Sequence, residues 1–142
     1  MSGPRHEARQ AALQILYFWE VGRAEPQAAI DAFFETHDPE AGETVRSFAS
    51  EIVHGTVADV TELDEILEQH SRHWRIARLA VIDRLILRMG IWELRHQPDV
   101  PAAVVLNEAV ELARRFSTED AVRFVNGVLD AVRRTLAERS GA

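Results

Sequence analysis

Asn107-Glu108-Ala109-Val110-Glu111-Leu112-Ala113, then Phe116-Ser117-Thr118-Glu119-Asp120, then Arg123-Phe124-Val125-Asn126-Gly127-Val128-Leu129-Asp130: reading this stretch decides the fold. It reads as two amphipathic helices joined by a short polar hinge. In the second, Val122, Val125, Leu129, Val132 and Leu136 recur at steps of three and four, the period of one helix face. Ser117 or Thr118 is placed to cap that helix, and Glu119 and Asp120 complement the positive end of its dipole. Helix propensity alone would not choose an Asn-Gly pair beside Arg123 and Phe124, so the segment carries a specific task.

The same period runs outward over nearly the whole chain, and no stretch alternates convincingly over strand length. A first helix extends from about Pro4 to about Gly22, with Ala8, Ala12, Ile15 and Trp19 at helical spacing. A short second helix starts near Pro26 and buries Ile30, Phe33 and Phe34, and residues 36–43 form a loop. A third turns Val45, Phe48, Ile52 and Val53 inward, with Gly55 either interrupting it or allowing close packing. Its continuation buries Val60, Leu63 and Leu67. Ile82, Leu85, Ile86, Met89 and Trp92 form a wide apolar stripe that ends before Pro98 and Pro101, and Val105, Ala109, Leu112 and Phe116 line the next helix. The fold class is all-α, a multi-helix bundle.

At 142 residues the chain is one domain, or two subdomains sharing a core. The absence of cysteine excludes disulfides, thiolate metal sites and cysteine nucleophiles, and fits a reducing cytosol. No apolar run approaches membrane-spanning length, and Met1-Ser2-Gly3-Pro4-Arg5 lacks the apolar stretch of a signal peptide. The net charge of −7 is unevenly spread. Residues 20–68 hold 13 acidic and 2 arginine side chains (−11), residues 69–142 hold 12 arginines and 9 acids (+3), and residues 1–19 come to +1. Local field matters more than the total, so polyanions are tolerated over one half only. All 16 basic residues are arginine, for which GC-rich coding is a plainer cause than phosphate recognition.

Catalytic chemistry finds little support. Glu51 with His54, and Glu93 with His96, have the Glu-x-x-His spacing of di-iron bundles. His96 lies at a fraying end near Pro98, however, and the face of Glu93 and His96 is expected to point away from the Met89–Trp92 stripe. His70 and His73 lack a third and fourth ligand. No nucleophile elbow, phosphate loop or dinucleotide fingerprint is present, and Glu108 and Glu111 read as an ordinary exposed face. Neither a metal nor a cofactor is expected. Arg5 and Arg9, four apart, share a helix face that can reach phosphates. Arg123 can pair with phosphate while Phe124 stacks a splayed base, the usual mode of reading single-stranded RNA. Spacing leaves Phe124 equally able to be core, since it adjoins the Val125 stripe.

Taken together, these segments resemble the bacterial transcription antitermination factors of the NusB family. The likeness rests on Arg5-x-x-x-Arg9 followed by Ala12-Leu13-Gln14-Ile15-Leu16-Tyr17; on Asp83 to Leu94; on Val100-Pro101; and on the two blocks from Asn107 to Asp130. It is poorest over residues 23–45. The N-terminal domain of certain rRNA cytosine methyltransferases is similar, but the chain leaves no room for a methyltransferase domain. The resemblance implies about seven helices arranged as two packed sub-bundles, about 1–70 and about 71–142, and no catalysis.

It also implies a cytoplasmic factor that binds boxA-type single-stranded rRNA leader RNA with NusE, a small-subunit ribosomal protein. The assembly then joins NusA, NusG and RNA polymerase. By position, RNA contacts fall on Arg5, Arg9, Asp120, Arg123 and Phe124, and the protein-partner surface on Tyr17, Asp83 and Arg88. Asp120 is expected to modulate rather than attract RNA. His6 and Glu7 interrupt what is often an unbroken basic run in this family, which points to weak RNA binding without NusE. A homodimer hiding the arginine-bearing helix is compatible with the architecture. The main alternative is a helical protein-interaction domain with little RNA binding, and a di-metal carboxylate protein is a distant one.

Overall fold

The helical spacing is realised as seven helices in a computed structural model that describes residues 3–71 and 79–139. They are α1 (Pro4–Gly22), α2 (Pro26–His37), α3 (Glu43–Ala58), α4 (Val60–His70), α5 (Val81–His96), α6 (Ala102–Phe116) and α7 (Glu119–Arg139). Among the described residues there is no strand, and no helix is long and apolar enough to cross a membrane. His73, half of the histidine pair noted above, lies outside the described residues.

Local chemistry sets the boundaries. Pro4 opens α1, where its missing N–H costs no hydrogen bond. The helix closes on Arg23, in left-handed geometry at φ 59°, whose N–H returns to the Phe18 carbonyl. Glu25 caps α2 by accepting the Ala28 N–H at 3.1 Å. Thr118 caps α7 by accepting the Ala121 N–H at 3.1 Å. Ser117, the other candidate cap, instead donates its hydroxyl to Asp83 Oδ1 at 2.5 Å.

The chain divides into two compact units, one ending at Ala58 and one beginning at Asp59. In the first, α1 packs on α2 and α3, and α2 packs on α3. Ala8, Ala12, Ile15, Leu16, Ile30, Phe34, Ala49 and Ile52 are among its buried residues. Trp19, expected inside, is only partly buried, and Gly55 sits within an unbroken α3.

In the second unit α5 is the central element: every residue from Leu85 to Glu93 is buried. A helix apolar nearly all round must be enclosed by others; here α4, α6 and α7 pack on it. Gly90 allows the approach of α7, because a Cβ there would lie 2.8 Å from Leu129 Cδ1.

The division falls at Ala58/Asp59 rather than near residue 70. Charges on α4 and at its start reach α5: Asp59 to His96 at 3.0 Å, Glu62 to Arg95 at 2.9 Å and Asp64 to Arg88 at 2.8 Å. The Arg95 hydrogen bond and charge hold the Glu62 carboxyl below the usual carboxylate range, and Glu62 in turn raises Arg95. His70 adds a tie to α7, its Nε2 lying 3.0 Å from Thr135 Oγ1 while Nδ1 meets the Ile66 carbonyl at 2.7 Å.

The Glu-x-x-His pairs find other surroundings. His54 Nε2 lies 2.8 Å from Gln27 Oε1, and His96 is tilted against Trp92. Glu93 is buried, contrary to the outward placement expected, because it continues the Ile86–Met89 face by one further turn. Among the described residues no three His, Asp or Glu side chains are grouped to hold a metal ion.

Candidate nucleic-acid interface

On the first unit, α1 places Arg5 and Arg9 over one aromatic ring. Their guanidinium carbons stand 5.0 and 5.2 Å from the centroid of Phe48 on α3, within cation–π range. Only Arg5 is exposed. Arg9 is 3% exposed and packs on Phe48, so in this structure it does not present itself to solvent as a phosphate contact would. The reason is that α1 buries more than one stripe. Arg9 precedes Ala12, Leu13 and Leu16 at helical spacing, and all three are buried. Beside Arg5, His6 lies half-buried with its Nε2 3.2 Å from Gln10 Nε2.

On the second unit, the N-terminal turns of α7 carry Asp120, Arg123 and Phe124. Asp120 and Arg123 are both largely exposed and paired at 3.0 Å, an i,i+3 pair of small worth to stability. Phe124 is half-buried, neither fully core nor fully free-standing. Asn126 and Gly127 are exposed one turn further on. A Cβ at Gly127 would meet nothing within 4 Å, so packing does not require glycine there. Glycine inside a helix nonetheless costs about 1 kcal/mol relative to alanine.

The residues expected to face a protein partner separate. Tyr17 is exposed and belongs to a wider apolar patch with Phe18 and Val21, both missed by the sequence reading. Spacing gives no signal for this, since adjacent apolar residues of the same helix, Ile15 and Leu16, are both buried. Phe18 also lines an apolar groove of about 360 Å³ with Ala28, Ala32, Phe33 and His37 of α2. Asp83, in the first turn of α5, is half-buried and holds the α6–α7 hinge through Ser117. Arg88 does not fit a partner surface. It is 5% exposed and donates two hydrogen bonds of 2.8 Å to Asp64.

The pattern of the NusB family matches residues 6–134. This chain belongs to the NusB family. The transcription antitermination protein NusB of Solibacter usitatus is 42% identical over 134 residues, spanning 94% of this chain and 91% of its own. Among solved structures, T. maritima NusB is similar with a TM-score of 0.85 at 29% identity, covering 94% of this chain and 93% of that one. A NusB from a crystal structure of the antitermination factors NusB and NusE with dsRNA gives 0.86 at 29% identity, covering 95% and 99%. NusB proteins are transcription antitermination factors, not enzymes. The all-α fold and the likeness to the NusB family, read from segments along the whole chain, therefore stand.

Proposed function

We propose that this NusB-family protein is a cytoplasmic adaptor that binds boxA-type single-stranded RNA of rRNA leaders together with NusE. The assembly then joins NusA, NusG and RNA polymerase to promote antitermination. The observation that carries this reading is the likeness, over nearly the full length, to a NusB solved with NusE and RNA. That RNA is double-stranded. The preference for single strands rests on Phe124, whose half-exposed ring beside Arg123 can stack an unpaired base but has no access to a paired one.

Arg5 and Arg123 are the phosphate contacts we assign, with Asp120 as a modulator and Phe124 as the stacking ring. Arg9 supports Arg5 from below, through Phe48. On a chain of net charge −7, each of the exposed arginines, Arg5 and Arg123, is by itself a weak electrostatic contact. NusE, seated on the Tyr17, Phe18 and Val21 patch of α1, would raise the effective concentration of RNA at this protein. A homodimer covering α1 would compete with that assembly, and dilution would then strengthen RNA binding.

The test is a fluorescence titration of boxA-type RNA with and without NusE at two salt concentrations, repeated with the same sequence as a duplex. Binding that needs NusE, weakens with salt and favours the single strand is expected. Equal affinity with and without NusE would remove the heterodimer as the reader. No binding under any condition would leave a helical protein-interaction domain, the second reading, which the exposed α1 patch itself favours.

A further inference from the structure

Two glycines lie within the described helices of the second unit, and only one has a structural reason. Gly90 faces Leu129, where a Cβ would collide at 2.8 Å. Gly127 lies in the middle of α7, is exposed, and would accept a Cβ into open space. Its helical position is one that alanine would fill with better propensity and no clash. The fold thus bears a cost at Gly127 that no packing contact among the described residues returns.

The surroundings indicate what does. Gly127 is four residues after Arg123, three after Phe124 and seven after Asp120, so all four project from one face of α7. Arg123 is exposed and Phe124 half-exposed there. A bare stretch of helix beside a guanidinium and an aromatic ring suits a chain that must lie close: a phosphate held by Arg123, a base on Phe124 and the intervening sugar against the helix backbone.

We propose that Gly127 is an RNA-seating residue, whose missing side chain lets the ribose-phosphate chain rest directly on α7 between its contacts to Arg123 and Phe124. This rests on the RNA-binding reading above. A methyl group at position 127 would push the strand away by more than an ångström and lengthen the charge-assisted bond to Arg123 beyond useful range.

The experiment compares wild type, Gly127→Ala, Gly127→Gln and Arg123→Ala. Each is measured for thermal midpoint, for affinity to a labelled boxA-type single-stranded RNA with NusE present, and for affinity to NusE alone. Gly127→Ala should raise the midpoint by roughly 2–5 °C while weakening RNA binding about tenfold, the loss of one charge-assisted hydrogen bond. Gly127→Gln, longer but still a good helix former, should weaken it further, with NusE affinity unchanged in both.

Unchanged RNA affinity in both glycine variants, with Arg123→Ala still weakening it, would overturn the seating role and leave the RNA reading standing. A wild type that binds no RNA would overturn both. Loss of NusE affinity would assign the bare face to a protein instead, and a fall in midpoint would show that the fold does require the glycine.

Discussion

Asp120 and Arg123 hold each other at 3.0 Å on an exposed face, so any phosphate approaching Arg123 must displace a carboxylate and also face its charge. Asp120→Asn removes both obstacles. An exposed pair of this kind is worth about 0.2–1 kcal/mol, so RNA affinity should rise about 1.4- to fivefold. A titration showing unchanged or weaker binding would take Asp120 off the RNA face. At this scale the sequence was a partial guide. It located Arg5 and Arg123 on solvent-facing positions, but ranked Arg9 with Arg5 because they are four apart. Spacing says which residues share a face, not how wide the buried face of α1 is. The partner role of Arg88 came by position from the family resemblance, and position does not show that its guanidinium is buried against Asp64.

The elements are joined by a few specific contacts. The bidentate pair of Arg88 with Asp64 fastens α4 to α5, with the guanidinium buried and the carboxylate partly exposed. Asp64→Ala should destabilise the protein by about 2–3 kcal/mol, since it strips a buried cation of its carboxylate while the exposed partner moderates the loss. Chemical denaturation measures this, and a change below 0.5 kcal/mol, roughly the surface-mutation range, would refute the structural role. Gly90→Ala should cost about 1 kcal/mol net, overpacking against Leu129 outweighing the gain in helix propensity. Increased stability would mean that Leu129 can turn aside without loss. The helices themselves were legible from period and caps, down to Pro4 and Pro26 as first residues. The allegiance of α4 was not, because its acids look alike in sequence and only their partners on α5 distinguish them.

Over the whole molecule the acidic excess meets arginine in ways that make stability depend on pH. The hydrogen bond and charge of Arg95 depress Glu62, and the hydrogen bond from Arg133, with the charges of Arg133 and Arg134, depresses Asp130. A depressed carboxyl contributes stability that is fully present above its unfolded pKa, about 4, and is lost as pH falls through the lower folded value. The melting midpoint should therefore be flat from neutrality down to about pH 5 and decline below about pH 4. Circular-dichroism melts across that range test it, and a midpoint that holds at pH 3 would discount these pairs. Both carboxyls belong to the second unit, so signals from that unit should report the loss.

Sequence alone determined the all-helical class, the order of the helices, the family and the Asn126-Gly127 pair as a feature of α7, because each depends on short-range periodicity, capping and local motifs. Tertiary structure decided which charges are buried, which unit claims α4, which hydroxyl caps α7 and which of two glycines packing requires. Those outcomes depend on what lies across the contact from each side chain, and residues separated by up to 65 positions, as His70 and Thr135 are, meet only once the chain has folded.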